Sequence, residues 1–492
     1  KTVATTIEKP VEKVITTTVE RPVEKTVVTT IAGTPTTVVK TETLTTTVEK
    51  TITPAPKTIK TVGPFTFWTE KGYAPSEDEA WDWAVKTFCR NYGIADYEIT
   101  RASPKDLDIK LTAAIDAGNP PDAVNAALHS EITQGAYKGL LEELDDLIKP
   151  VLDKLSPLAR ESAYLYNAKE KKTAIYSAPW DASGYFLHIN KELIKKAGED
   201  PEKIPSDWEG WHEFFKGVQK KLRAKGLEVY GLGYPMSTAS MGDGPNMVMQ
   251  LFKTMGGEGL KDGNKFVLGD PKNKKIFVEV IDILTNFMKE GYVPKEALTW
   301  GPPDNNIHFI MMKSVTMWNG SLSIPMYWLN KDPNVYYDVI ATVDAPTGPN
   351  GEEWNYLMWT GGVITYKKSK NKEAGREFCR YMLEPEVGLT IIRTMLGRVF
   401  PMRLEAAEAP DMKSGFVKGG KKDPNFPAFY RQLFERKSTM PVGGNHPAFE
   451  EMVIAGIWTD PCSRVVVDGW DPEKAVEESI ERAKKIWEKW TM

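Results

Sequence analysis

Three cysteines in 492 residues, Cys89, Cys379 and Cys462, are too few and too odd in number for a disulfide framework. Separate buried thiols are expected, with a Cys89–Cys379 pair as the alternative. No cysteine or histidine spacing resembles a zinc site, and the five histidines are scattered at 129, 188, 212, 308 and 446. Basic residues are not in excess: 63 Lys and Arg face 67 Asp and Glu, for a net charge of −4. That balance excludes a general nucleic-acid binder. No run of 18 apolar residues occurs, which excludes a membrane-spanning helix of the ordinary kind. There is no Gly-x-Ser-x-Gly, no Walker loop and no dinucleotide glycine fingerprint. Paired carboxylates can always be assembled by folding, so glycosidase activity is only unsupported. The chain opens at Lys1 without an initiator Met or apolar signal core, which reads as a removed targeting segment or a trimmed start.

Aromatics are absent before Phe65, and all 15 Trp follow it. What fills the first 62 residues instead is threonine, 21 times. Residues 5–14 recur at 17–26, an offset of twelve, with a decayed copy at 46–50. Thr, Val and Ile favour extended backbone. Prolines at 10, 22, 35, 54 and 56 are expected to block a helix and interrupt any ladder. Fully extended, the segment would reach about 200 Å at roughly 3.3 Å per residue. One reading is a stalk, O-glycosylated on its threonines. The other is an assembly strand: the runs 14–19 and 36–41, with Val14, Ile15, Val19, Val38 and Val39, are strands in search of a partner on a neighbouring molecule.

After Gly63-Pro64 the pattern changes. Residues 65–69 read as a buried strand and 75–93 as a helix with acids at its start and a Trp81, Ala84, Val85, Phe88 stripe. Residues 97–100 form a second strand, 106–117 a helix stopped by Gly118, and 122–126 a third strand. This βαβαβ rhythm predicts a parallel sheet covered by helices. Further helices are expected over 191–196, 208–222, 246–255, 274–289, 374–383 and 472–490. Strands are expected over 229–234, 314–318, 337–342 and 362–366. The alternation is too long for one sheet, so two α/β lobes are the economical solution.

Several local patterns fall in a telling order. They are the strand Phe65-Thr66-Phe67-Trp68-Thr69-Glu70 and the helix-to-strand passage from Leu111 through Gly118-Asn119-Pro120-Pro121-Asp122. Next come Gly139-Leu140-Leu141-Glu142-Glu143-Leu144-Asp145, Tyr176-Ser177-Ala178-Pro179 and Leu187-His188-Ile189-Asn190-Lys191. Pro205-Ser206-Asp207-Trp208, the strand-turn at 312–321, the Pro-rich turn at 345–351 and the segments at 372–378 and 397–403 complete the set. In these the chain resembles the extracellular solute-binding proteins of ABC importers, in particular the maltose-binding-protein-like carbohydrate-binding family. It departs from that pattern at Met312, where the family often has Gly. The Thr-rich tail lies outside the resemblance, although archaeal members carry similar stalks.

The resemblance implies an α/β, two-lobe, periplasmic-binding-protein-like clamshell, here with an extended, β-prone N-terminal tail at 1–62. Lobe one would take 64–180 and 361–425. Lobe two would take 181–360 and 426–492, with the ligand between them. It also implies an extracellular, cell-surface receptor that delivers a sugar or oligosaccharide to ABC permease subunits. The membrane would be reached only through a tether, with no cofactor, no metal and no enzymatic activity. The alternative is a structural subunit of a filament or surface array, a homo-polymer joined by tail-strand donation.

A sugar offers an apolar C–H face to aromatic rings and a hydroxyl rim to Asp, Glu, Asn and Arg. Open α/β sheets bind ligands beyond the carboxyl ends of their strands. The ligand-facing candidates are therefore Trp68, Thr69 and Glu70 after the first strand, and His129 after the third. Trp180 and Asp181 stand at the first crossover between lobes, and Trp359 and Gly361 at the second. Tyr234 with Met236, Trp318 with Asn319, Arg398, and Trp458 complete the set. Core packing or capping is the competing role for each. Trp81, Trp83, Trp208, Trp211, Trp487 and Trp490, on predicted helices, are expected to be structural. Five Met between 236 and 255 could form an adaptable apolar wall, with helix packing the competing use for Met247, Met249 and Met255. The sequon Asn319-Gly320-Ser321 is taken as a chance match.

Overall fold

A computed structural model describes residues 13–31, 34–52, 58–126, 129–240, 242–261, 265–416, 420–441 and 444–491. The first repeat copy up to residue 12, the prolines at 10, 54 and 56, and Met241 lie outside the described residues. The chain divides into two units, one containing 1–60 with 91–93 and the other the remainder.

In the first unit, strands Lys13–Ile31 and Thr34–Ile52 pair antiparallel along their whole length. The runs expected to seek a partner on a neighbouring molecule are paired within this chain, 14–19 with 46–51 and 36–41 with 24–29. Val14 is opposite Thr51, Ile15 opposite Lys50, Val19 opposite Thr46, Val38 opposite Val27 and Val39 opposite Thr26. The five assembly candidates are thus paired inside one ribbon, and nothing in this unit supports strand donation. Pro22 and Pro35 do not interrupt the ladder either, since they face Thr43 and Thr30. In a two-stranded ribbon each strand keeps one open edge, where a residue without an N–H does no harm. Folding back also shortens the segment: 19 residues span about 60 Å at roughly 3.3 Å each.

In the second unit the expected βαβαβ is present. Strand Phe65–Glu70 lies between the parallel strands Tyr97–Ala102 and Ala123–Asn125. Helices Pro75–Asn91 and Pro104–Asp116 connect them. The second starts where Pro104 follows Ser103, whose hydroxyl accepts from the Asp106 N–H. Phe65 and Phe67 bury one face of the central strand, and Phe65 meets Phe88 and Phe378 at ring distances of 5.4 and 5.5 Å.

Two long strands then carry the chain across the body. The first crossover strand, Ala178–Asn190, pairs antiparallel with the second, Tyr356–Ile364, over residues 178–184. Beyond that point it pairs with Thr316–Gly320 and Ile340–Val343. The second crossover strand also pairs with Ala123–Asn125, which ties it to the parallel strands. Among the described residues nine strands join this sheet, which is mixed, not parallel throughout.

Two expected strands are corrected. Residues 229–234 make only an isolated bridge, Tyr230 to Ser314. Gly231 and Gly233 run so close to the Phe215 and Thr316 carbonyls that a Cβ would lie 2.6 and 2.3 Å away, and the segment is irregular. Residues 337–339 belong to the π-helical turn Val335–Val339, and the strand begins only at Ile340. All three cysteines are buried and free, so separate thiols are what the fold contains. Burial pushes the Cys89 and Cys462 thiols up to about 12, which leaves them unreactive. Asn319 is 1% exposed, and its amide donates to Ser323 Oγ at 2.8 Å, so the sequon is closed to glycosylation. Among the described residues no helix is long and apolar enough to cross a membrane.

Met312 explains its own oddity. It follows helix Asp304–Ile310 with φ of 57°, the left-handed region. Its N–H donates to Phe309 O and that of Lys313 to His308 O, the paired bonds of a Schellman C-cap. Glycine reaches this conformation without strain. Met312→Gly is therefore expected to raise unfolding stability by about 0.5–1 kcal/mol, read as a higher urea midpoint at unchanged slope. A lowered midpoint would show that the Met312 side chain contributes more packing than its backbone costs.

Candidate functional site

The crossover strands meet imperfectly, and the imperfection makes a site. Gly361 is opposite Asp181 but Gly362 is opposite Pro179, so Trp180 is an extra, bulged residue. A bulge re-aims side chains. Trp180 and Asp181 both line one cavity as a result, where strict alternation would send one of them to each face. Trp180 is held by its indole N–H, which donates to Asn125 Oδ1 at 3.1 Å, and by an edge contact with Trp81 at 5.3 Å. Gly361 is required here, because a Cβ on it would lie 1.9 Å from Asp181 Oδ1.

The cavity encloses about 260 Å³. Its aromatic wall comprises Trp81, Trp180, Tyr185, Trp359 and Phe449. Trp359 is packed edge-on by His129 at 5.3 Å and against Phe449 at 5.2 Å. Tyr185 accepts from Asn246 Nδ2 at 2.7 Å. The polar wall carries Glu70, Glu77, Asp181 and Glu450, faced by Arg398. Arg398 Nε is 3.6 Å from Glu77 Oε1, and its guanidinium also donates to Ser321 Oγ. Two non-glycine residues near this arginine have left-handed backbone, Ser321 (φ 58°) and Leu396 (φ 51°). Strain of this kind persists where the surroundings enforce it, often at binding sites.

Burial dominates the electrostatics. It pushes the Asp181 carboxyl up to about 7, aided by the charge of Glu70 and opposed by nearby backbone N–H groups and Arg398. Glu450 rises to about 7 through burial and then the charge of Asp108. Glu70 is also raised, by burial first. Burial lowers His129 to about 4, so it is neutral at ordinary pH.

Of the fourteen sequence candidates, the fold brings Glu70, His129, Trp180, Asp181, Trp359, Gly361 and Arg398 onto this cavity. Asn319 borders an adjoining space of about 390 Å³ that shares Glu70 and Arg398. The others lie elsewhere. Trp68 leans on the cluster around Leu111, Val124 and Tyr176, one pleat short of Glu70, and Thr69 points into the core. Tyr234 is 2% exposed and bonded to His212 Nε2 at 2.9 Å. Met236 is buried, as are Met247 and Met249, whose use is helix packing. Trp318 stacks on Trp354 at 5.4 Å, and Trp458 packs between Phe252 and Phe277. Trp81, expected to be purely structural, lines the cavity as well as the core. Glu77, Asn125, Tyr185, Asn246, Phe449 and Glu450 were not anticipated. Tyr185 was within reach, because Asp181, Ser183 and Tyr185 follow the two-residue period of one strand face.

A mixed sheet spanned by two crossover strands, with an aromatic and acidic cavity set upon them, defines a periplasmic-type binding protein of two-lobe fold. More particularly, the profile of the bacterial extracellular solute-binding proteins matches residues 83–428, and the chain belongs to that family. A curated relative, the sn-glycerol-3-phosphate-binding periplasmic protein of Shigella flexneri, is 28% identical over 144 residues, 27% of this chain. That match spans 30% of the relative's length. Among solved structures, an ABC transporter solute-binding protein from Thermotoga lettingae, bound with alpha-D-tagatose, superposes with a TM-score of 0.68 at 19% identity. It covers 86% of this chain and 99% of that one. The sugar-binding protein MalE of Xanthomonas citri gives 0.66 at 18% identity, covering 87% and 98%.

Asp181 supplies a pH test. Its proton is held more tightly in the folded state than at the ordinary carboxylate value of 3.8. Its contribution to stability is therefore full below about pH 4 and lost as pH rises toward about 7. His129, lowered by burial, works in the opposite direction, so the measurement is differential. Asp181→Asn is expected to gain stability relative to the parent as pH rises from about 4 to about 7, by about 2 kcal/mol, in urea melts. Parallel curves for the two proteins would mean that Asp181 is solvated like a surface carboxylate.

Proposed function

We propose that the body is the extracellular receptor of an ABC importer for a sugar or short oligosaccharide, and that it acts by binding alone, without catalysis. The observation that carries this reading is that one cavity is lined by both aromatic rings and hydrogen-bonding side chains. Trp180, Trp359 and Tyr185 suit the C–H face of a pyranose. Asn125, Asp181, Asn246 and Glu70 suit its hydroxyl rim. The cavity, about 260 Å³, lies at the low end of ligand sites, which favours one or two sugar rings over a long chain. The lobes are taken as 64–180 with 361–425, and 181–360 with 426–492. The crossover strands that run through 180 and 361 are the hinge about which they close, and the closed form is what permease subunits recognise. The Thr-rich segment is read as a spacer at the cell surface.

A thermal-shift screen of the full chain against mono- and disaccharides tests the assignment. A specific ligand raises the melting temperature by mass action, increasingly with concentration. Trp359→Ala, at a half-buried position, is expected to weaken the best ligand about tenfold through loss of ring stacking. If no saccharide moves the melting temperature, the receptor reading for sugars fails.

A further inference from the structure

The cavity holds more carboxyl groups than its own cationic groups can pair. Glu70, Glu77, Asp181 and Glu450 line it, against the single guanidinium of Arg398 and a neutral His129. Arg398 is already engaged by Glu77 at 3.6 Å and by Ser321. A second buried aspartate in the same body shows what a satisfied carboxylate looks like. Asp122 accepts from Thr66 N and Oγ, Ser369 Oγ, and Asn371 N and Nδ2, all within 2.6–3.0 Å. Asp181 is equally withdrawn from solvent, at 6% exposed, yet its Oδ1 has no hydrogen-bond partner. It lines the cavity beside Glu70, whose charge it feels.

A carboxyl group with an unpaired buried oxygen, set among other carboxyl groups, calls for a donor that also brings positive charge. Among the described residues no group of three acidic, His or Cys side chains converges to hold a metal ion. The same cavity is lined by Trp180, Trp359 and Tyr185, and ring faces attract organic cations. An anionic ligand such as a phosphorylated polyol would meet uncompensated repulsion.

We propose that the solute is a cationic, amine-bearing sugar, its ammonium group donating to Asp181 Oδ1 beside Glu70 while its ring packs on the tryptophans. This rests on the saccharide reading above and narrows it. The cation supplies the pairing that the cavity's own residues do not, so selectivity comes from charge and not from ring shape.

Calorimetric titration of the full chain near neutral pH separates the cases. The probes are the disaccharide of glucosamine, its N-acetylated form, and cellobiose, which has the same linkage with hydroxyls in place of the amines. The amine form is expected to bind at least about tenfold tighter than cellobiose, an advantage that shrinks with added salt. N-acetylation, which removes the charge and keeps the ring, should abolish the advantage. Asp181→Asn and, on a different element, Glu450→Gln should each narrow the gap between amine and hydroxyl forms. Equal or tighter binding of cellobiose overturns this inference and leaves the sugar receptor standing. Binding of none of the three disaccharides overturns this inference too, and the broader saccharide screen above then decides the sugar receptor.

Discussion

Two strands, Ala178–Asn190 and Tyr356–Ile364, hydrogen-bond to each other where the chain passes from one part of the body to the other, and the site exists because of how they do so. Their contact is too close for side chains at two points. A Cβ at Gly184 would lie 2.3 Å from Met358 Sδ, and one at Gly361 would strike Asp181. The register slips by one residue between Gly361 and Gly362, and that slip sends Trp180 and Asp181 to the same cavity. An aromatic face and a carboxylate are thus presented side by side by consecutive residues.

Much of the architecture was legible from residue patterns, and the failures have physical causes. The opening βαβαβ unit announces itself through strand alternation, Ser103-Pro104 capping and a glycine stop at Gly118. The segment 229–234 looks like a strand by composition, but Gly231 and Gly233 serve close backbone approach. For the site, strand ends were good guides where the strand crosses the body, as at Trp180, Asp181, Trp359 and Gly361. They were poor guides at Tyr234 and Trp318, which end up in an aromatic core with His212 and Trp354. A single strand cannot tell which of its ends faces a cleft and which a neighbouring helix. Phe449 and Glu450 come from the short helix Ala448–Ile454, far along the chain, and no local pattern marks them.

The contrast between Asp122 and Asp181 separates two uses of a buried carboxylate. Asp122, ringed by donors from Thr66, Ser369 and Asn371, joins the first strand to the loop before helix Lys372–Tyr381 and is part of the frame. Asp181 is left short of donors by a frame that supplies them generously elsewhere. The same environment that makes Asp181 costly makes it receptive, because a ligand group that pairs with it gains what water cannot reach to provide.

The ribbon of Lys13–Ile31 and Thr34–Ile52 has a property that follows from its repeat. Twelve is an even number, and side chains alternate with a period of two. An insertion of twelve residues on each strand would therefore keep the alternation in phase. Because opposed residues sum to a constant along the register, such a change must come as a matched pair, one repeat on each strand. Each matched pair lengthens the ribbon by about 40 Å at roughly 3.3 Å per residue. Changed by whole repeats in this way, the ribbon would alter its reach in coarse steps while keeping its pairing register.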